Sequence, residues 1–273
     1  MYKHILLPME SSELSIAAIN PATRGLTRTS DCIEPRVASE VAPVMLSHPA
    51  HEGPPEYLAV HYWWAYVHPW AVKLFERQWL VNLILWGQYG RLRDAALVEF
   101  GDAIGGTTLQ VACAYGDLTN RLCNAVATGG GEIDIVDVLP IQLRNLKSKL
   151  PPTAPVRLLA MDSSRLRLPD AIYDRALVFF LLHEQPDRYR ELTLSEVFRV
   201  VKPGGKIVIV EYAAPNWWHP LRYLWGPVLA LLEPFALDLW RQDINHWFPP
   251  GCILPTRKKS FFAGLYQKVV IAR

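Results

Sequence analysis

Apolar residues return along this chain with two different rhythms. Between positions 54 and 104 the spacing is helical: Leu74, Trp79, Leu83 and Trp86 mark one face, while Glu76, Arg77, Arg91, Arg93 and Asp94 supply a polar one. Pro69 suits a first helical turn. From Gly105 and Gly106 onward, short apolar runs alternate with helical stretches: TLQVACAYG, EIDIVDVL, VRLLAMDSS, YDRALVFFLLH and KIVIVEY are the runs. The helix ELTLSEVFRVV ends at Lys202-Pro203-Gly204-Gly205. Such alternation predicts right-handed β-α-β units and a doubly wound, mostly parallel sheet. A Trp-, Pro- and Leu-rich helical insertion occupies residues 213–256, and FFAGLYQKVVIA predicts a closing strand pair that gives the sheet an antiparallel C-terminal edge. Residues 1–53 hold no sustained period. The chain therefore divides into a poorly ordered extension (1–53), an aromatic-rich helical cap (54–104) and an α/β domain (105–273).

Composition narrows the function classes. With 28 Lys and Arg against 26 Asp and Glu, the net charge of +2 gives no field suited to general nucleic-acid binding. The four cysteines, Cys32, Cys113, Cys123 and Cys252, form no C-x-x-C pair and no zinc spacing, and read as reduced thiols in a cytoplasmic protein. No apolar run approaches the ~20 residues that span a bilayer. Ten tryptophans nevertheless fall mostly into HYWWAYVHPW and NWWHPLRYLW, a composition suited to a membrane interface, to an apolar ligand pocket or to ordinary core packing.

In an open parallel sheet, ligands sit beyond the carboxyl ends of the strands. The loops there contain A-C-A-Y-G-D, D-V-L, M-D-S-S, L-L-H-E-Q and E-Y. Asp137 ends the second strand, where a carboxylate can accept both ribose hydroxyls of a nucleoside. Asp162 follows the third strand, and V-K-P-G-G precedes the fifth.

Read as LQVACAYGDLT against L-D-x-G-x-G-x-G-x-L-T, the first loop resembles that of the class I S-adenosylmethionine methyltransferases of quinone biosynthesis, over roughly residues 105–212. Gln110 replaces the acid, Ala112 and Ala114 replace two glycines, and Gly116 is kept. This altered loop, the aromatic cap, FFLLHEQPD and the tail from WWHPLRYL onward are similar to the RquA family of rhodoquinone-biosynthesis enzymes, from about residue 54 to the end. The resemblance implies a Rossmann-like class I methyltransferase fold of seven strands. It further implies conversion of ubiquinone to rhodoquinone, an amino group replacing a ring methoxy group, with S-adenosylmethionine as amino donor and Mn2+ assisting. Cofactor contacts would come from Ala112, Cys113, Ala114, Tyr115, Gly116, Asp137, Val138, Asp162 and Ser163.

Manganese prefers oxygen ligands and tolerates imidazole, which nominates Asp117, Asp162, His183 and Glu184 as metal ligands. Asp117, His183, Tyr115, Tyr62 and Tyr66 are the catalytic candidates, the tyrosines for orienting quinone carbonyls or donating a proton. Asp117 is equally suited to an N-cap, and His183 and Glu184 to a packed loop and a helix start. An isoprenoid substrate implies peripheral attachment to the cytoplasmic membrane, with Arg257-Lys258-Lys259 either favouring anionic lipid or marking a solvated strand end. Two other readings stay open: a conventional quinone or phenol methyltransferase, and a non-catalytic cofactor-binding scaffold.

Overall fold

Runs of Val, Ile and Leu become strands because β-branched and aliphatic side chains pack well on a pleated surface covered on both faces. The structure, a computed structural model, describes residues 55–61, 77–251 and 256–273. The expected N-terminal extension, Tyr62, Tyr66, Pro69, Cys32 and Cys252 lie outside the described residues.

Among the described residues three helices precede the sheet: α1 (Glu56–His61), α2 (Gln78–Ile84) and α3 (Tyr89–Leu97). The amphipathic stretch expected to run unbroken through Trp86 is divided here. Trp86 and Gly87 take left-handed φ values of 52° and 75°, and the Gly87 N–H reaches back to the Asn82 carbonyl at 2.7 Å, a helix-ending geometry that glycine permits.

The α/β domain then follows as β1 (Thr107–Val111), α4 (Leu118–Thr128), β2 (Glu132–Asp137), α5 (Pro140–Lys147), β3 (Val156–Ala160), β4 (Tyr173–Phe179), α6 (Asp187–Val200) and β5 (Val201–Tyr212). Beyond these lie α7 (Leu221–Leu232), the short α8 (Asp238–Arg241), β6 (Thr256–Phe261) and β7 (Tyr266–Ala272). The seven strands are ordered β3-β2-β1-β4-β5-β7-β6, the first five parallel and β7 antiparallel to both neighbours. This is the doubly wound sheet expected, with its antiparallel edge.

Leu118, Leu122 and Val126 recur every four residues along α4 and are fully buried, so this stripe faces the sheet. Each such leucine contributes about 1.5–3 kcal/mol by leaving water. On α6 the corresponding stripe is Leu194, Val197 and Phe198. Two boundaries differ from expectation. Lys202–Gly205 does not form a separate stop: α6 passes directly into β5 at Val201, and the register shift sits between Tyr173 and Arg175. The closing hairpin begins earlier, at Thr256, so Arg257-Lys258-Lys259 forms the exposed edge strand. Arg257 pairs there with Glu99 at 3.0 Å and Lys258 with Asp243 at 2.7 Å. Charge along a free edge discourages further strand pairing.

Candidate active site

The strand order reverses between β1 and β4, and the loops leaving their carboxyl ends part to open a crevice. A cavity of about 530 Å³ lies there. One end is formed by the loops after β1, β2 and β3, and includes Ala112, Cys113, Ala114, Tyr115, Asp137, Val138, Asp162 and Ser163. The other end is apolar, walled by Leu80, Val81 and Ile84 of α2 and by Trp225, Val228, Leu229 and Leu232 of α7. Eight of the nine expected cofactor residues thus line the cavity.

Gly116 is the ninth and does not. Its φ of +81° turns the chain, and a Cβ there would run into the Tyr89 ring and hydroxyl. The preceding alanines are accommodated differently. Ala112 takes a φ of +68°, a left-handed conformation that costs an alanine about 1 kcal/mol. The buried Gln110 amide donates to the Ala112 carbonyl at 3.0 Å and to Thr119 Oγ1 at 2.9 Å, bracing that turn.

Asp137 is buried at the end of β2. Its Oδ2 accepts the Cys113 N–H and its Oδ1 the Leu139 N–H, both at 2.8 Å. Burial pushes the carboxyl pKa up, against the lowering effect of these donors. Each carboxylate oxygen has a second lone pair, so the residue retains acceptor capacity toward the cavity. Tyr115 extends the same wall, its hydroxyl accepting from the Gln142 amide at 2.7 Å.

Asp117, expected as catalytic and as a metal ligand, is not on the cavity wall. Arg93 grips it through both oxygens at 2.7 and 2.8 Å, and Arg121, one helical turn on, holds Oδ2 at 2.8 Å. Burial alone would raise its pKa, but the two guanidinium groups outweigh this and hold it below the usual carboxylate range. Its role is structural: with Tyr89 it ties the first loop to α3. The Tyr89 hydroxyl accepts the buried Leu118 N–H at 3.0 Å, and its hydrogen lies between the Tyr115 carbonyl at 3.1 Å and Asp117 Oδ1 at 3.2 Å.

His183 enters the cavity from a single 3-10 turn, Leu182–Glu184, that follows the left-handed Phe180 (φ 51°). The fully buried Glu211 at the end of β5 builds this turn. Glu211 Oε2 accepts the N–H groups of Leu182 and His183 at 2.8 and 3.3 Å, while Oε1 lies 3.0 Å from His183 Nδ1. Nε2 is thereby aimed away from Glu211 and stands 3.8 Å from both Glu184 Oε1 and Glu233 Oε2. Burial would lower the His183 pKa, but the surrounding charges of Glu211, Glu233 and Glu184 prevail and push it up to about 10. The three carboxylates favour the protonated ring, in which both nitrogens are donors. Arg190, fully buried, fastens this turn from behind. Its Nε donates to the Leu182 carbonyl at 2.7 Å, a second nitrogen donates to the Phe235 carbonyl, and its guanidinium lies 4.8 Å from the Trp247 ring centre.

The proposed metal set does not assemble. Asp117 is committed to two arginines, and Asp162 Oδ1 accepts both the N–H and the hydroxyl of Ser164 at 2.8 Å. Among the described residues no three His, Cys, Asp or Glu side chains are placed to hold a metal ion. Manganese therefore does not fit these donors. Sequence reasoning also missed Tyr89, Gln142, Glu211 and Glu233. The signal for the last two was present as single acids in the apolar runs KIVIVEY and LLEPF.

Comparison with known proteins places the geometry. The profile of the ubiE/COQ5 methyltransferase family matches residues 78–223. An uncharacterized methyltransferase of Synechocystis is 30% identical over 215 residues, 77% of this chain and 94% of that protein. The demethylmenaquinone methyltransferase of Bacillus licheniformis is 30% identical over 194 residues, 67% of this chain and 82% of its own. The crystal structure of human N-acetylserotonin methyltransferase with S-adenosylmethionine aligns with a TM-score of 0.55 at 15% identity. It covers 81% of this chain and 63% of the human one, a likeness of fold.

Proposed function

Because the chain belongs to the ubiE/COQ5 methyltransferase family, we propose that it is an S-adenosylmethionine-dependent transferase that methylates a ring carbon of a quinone precursor. The observation that carries this reading is the single cavity joining the Asp137 loops to an apolar chamber with His183 between them. Asp137 would accept the ribose hydroxyls, and the backbone of Ala112–Tyr115 and of Met161–Ser163 would enclose the rest of the nucleoside. The cofactor, when bound, supplies an electrophilic methyl carbon. Leu80, Val81, Trp225 and Leu229 hold an aromatic ring and exclude water. The His183 side chain then opposes a ring oxygen that has entered as its anion, its proton left in solvent, and stabilises that charge, which raises electron density at the neighbouring ring carbon; once the methyl has passed from sulfur to that carbon, the C–H proton moves to the ring oxygen and restores the hydroxyl.

The replaced residues at 110, 112 and 114 favour a second reading, in which an amino group derived from the cofactor replaces a methoxy group of ubiquinone. There His183 would stabilise the ring oxyanion built by nitrogen addition and protonate the departing methoxide; the quinone ring of the adduct would then take two electrons from the carbon that bears the nitrogen, and water would cleave the resulting imine to an amino-substituted quinol and a 2-oxo acid. No metal takes part in either account.

Peripheral attachment to a lipid bilayer belongs to the same proposal. No helix among the described residues is long and apolar enough to cross a membrane. Helix α7, however, is apolar on both sides: one side lines the cavity, while Tyr223, Leu224 and Leu231 (82% exposed) face outward beside Trp217 (76%) and Trp218. Trp and Tyr at such a rim suit the headgroup level, and a lipid-soluble substrate would enter beside them. Flotation with phospholipid vesicles tests this; a protein that stays wholly in the aqueous fraction refutes it.

Mass spectrometry of products distinguishes the readings of the reaction. The protein is incubated with S-adenosylmethionine carrying 13C in its methyl and 15N in its amino group, and with short-tail demethylmenaquinol or ubiquinone. A 13C-labelled ring supports methylation, and a 15N-labelled ring supports amino transfer. Proven cofactor binding with no labelled product overturns both.

A further inference from the structure

Glu233 ends α7 and projects into the apolar half of the cavity, opposite His183. Its Oε2 is shut off from solvent and has no hydrogen-bond partner among the described residues, although the side chain keeps 24% of its surface, and the residue lines the cavity. The 3.8 Å to His183 Nε2 is an ionic contact, too long for a hydrogen bond. A buried oxygen without a partner is costly, and native structures keep few. Glu211, by contrast, spends both oxygens on the His183 turn and on the Tyr212 N–H at 2.8 Å. Burial raises the Glu233 pKa, and His183 only partly opposes this. Within the chamber, then, one acid is fully employed in holding the imidazole, and the other lines the cavity beside it with a carboxylate that this turn does not use.

We infer that Glu233 orients the acceptor: a hydroxyl on the aromatic ring donates to the Glu233 carboxylate where the side chain stays open to the cavity, while its shielded Oε2 keeps the contact with His183 Nε2, so the two side chains fix which ring carbon meets the cofactor end. The inference rests on the quinone-directed reading above and adds the residue that sets the ring's orientation. An aromatic molecule of the same shape without oxygens would fill the chamber but gain nothing from Glu233.

Equilibrium dialysis under argon tests this with the full-length protein saturated with S-adenosylhomocysteine. The probes are 1,4-naphthohydroquinone and naphthalene. Glu233→Leu should bind the hydroquinone about tenfold more weakly, as expected for losing one hydrogen bond to a buried carboxyl group, and bind naphthalene as the parent does. Glu233→Gln, which keeps an acceptor oxygen, should stay within about threefold of the parent for both. Equal loss of both probes in Glu233→Leu would assign the residue a merely structural role, and unchanged hydroquinone binding would remove it from the site; either overturns the inference alone. If the unaltered protein binds S-adenosylhomocysteine but not the hydroquinone, the acceptor reading falls and this inference with it.

Discussion

Removing one oxygen atom, in Tyr89→Phe, tests whether the cofactor loop is held from beneath by α3. The ring is 1% exposed and would stay in place, so packing is unchanged and the effect isolates the hydroxyl. Asp117 keeps Arg93 and Arg121, so its loss is small. The Leu118 N–H is different: it opens α4, is buried, and has the Tyr89 oxygen at 3.0 Å as its hydrogen-bond acceptor. Orphaning such a donor costs about 1–3 kcal/mol. For a domain of this size each kcal/mol lowers Tm by about 2–4 °C, so a central cost of about 2 kcal/mol corresponds to a fall of about 4–8 °C. Thermal melts of the ligand-free protein read this directly, and urea titrations should give a lower midpoint at unchanged slope. Hydrogen exchange should quicken at the Leu118 amide. A variant melting within about 1 °C of the parent would show that the N–H finds another partner, and the reasoning about this loop would fail.

Three further outcomes follow from the same geometry. Asp137→Ala should weaken S-adenosylhomocysteine binding at least about tenfold by calorimetry, because the acceptor for the ribose goes and the Cys113 and Leu139 N–H groups that shape the loop lose theirs. Arg190→Met should lose about 1–3 kcal/mol in urea unfolding, since the Leu182 and Phe235 carbonyls lose their donors; an unchanged midpoint would contradict the clamp. His183 holds its proton more tightly folded, at about 10, than unfolded, at 6.5. Its stabilising contribution is therefore complete below pH 6.5 and lost as pH rises toward 10. Urea midpoints should fall across that window more steeply in the parent than in His183→Asn, and parallel profiles would show that the ring is not an imidazolium.

Much of the architecture was legible because strand periodicity and loop placement are local properties of the sequence. The β-α alternation from Gly105 onward and the position of Asp137 at a strand's carboxyl end led directly to the sheet and to one end of the cavity. Asp117 misled because its partners lie elsewhere: Arg93 is 24 residues earlier, and only folding brings it within 2.7 Å. Glu211 and Glu233 escaped notice for the same reason. Each is a lone acid in an apolar run, and their relation to His183 exists only where the end of β5, the turn after β4 and the end of α7 converge. The earlier start of the closing hairpin is also a tertiary effect, since Glu99 and Asp243 draw a basic run onto the sheet edge.

The Gln110 brace makes two differences from the family pattern into one. The amide donates to the carbonyl of Ala112, whose backbone is left-handed, and to the hydroxyl of Thr119. A carboxylate at position 110 has no hydrogen to give and would set negative charge against that carbonyl, while a glycine at 112 would need no brace to reach the same φ. The two positions are thus coupled: replacing Gln110 by an acid should destabilise this loop more with alanine at 112 than with glycine there, because glycine needs no brace at that φ.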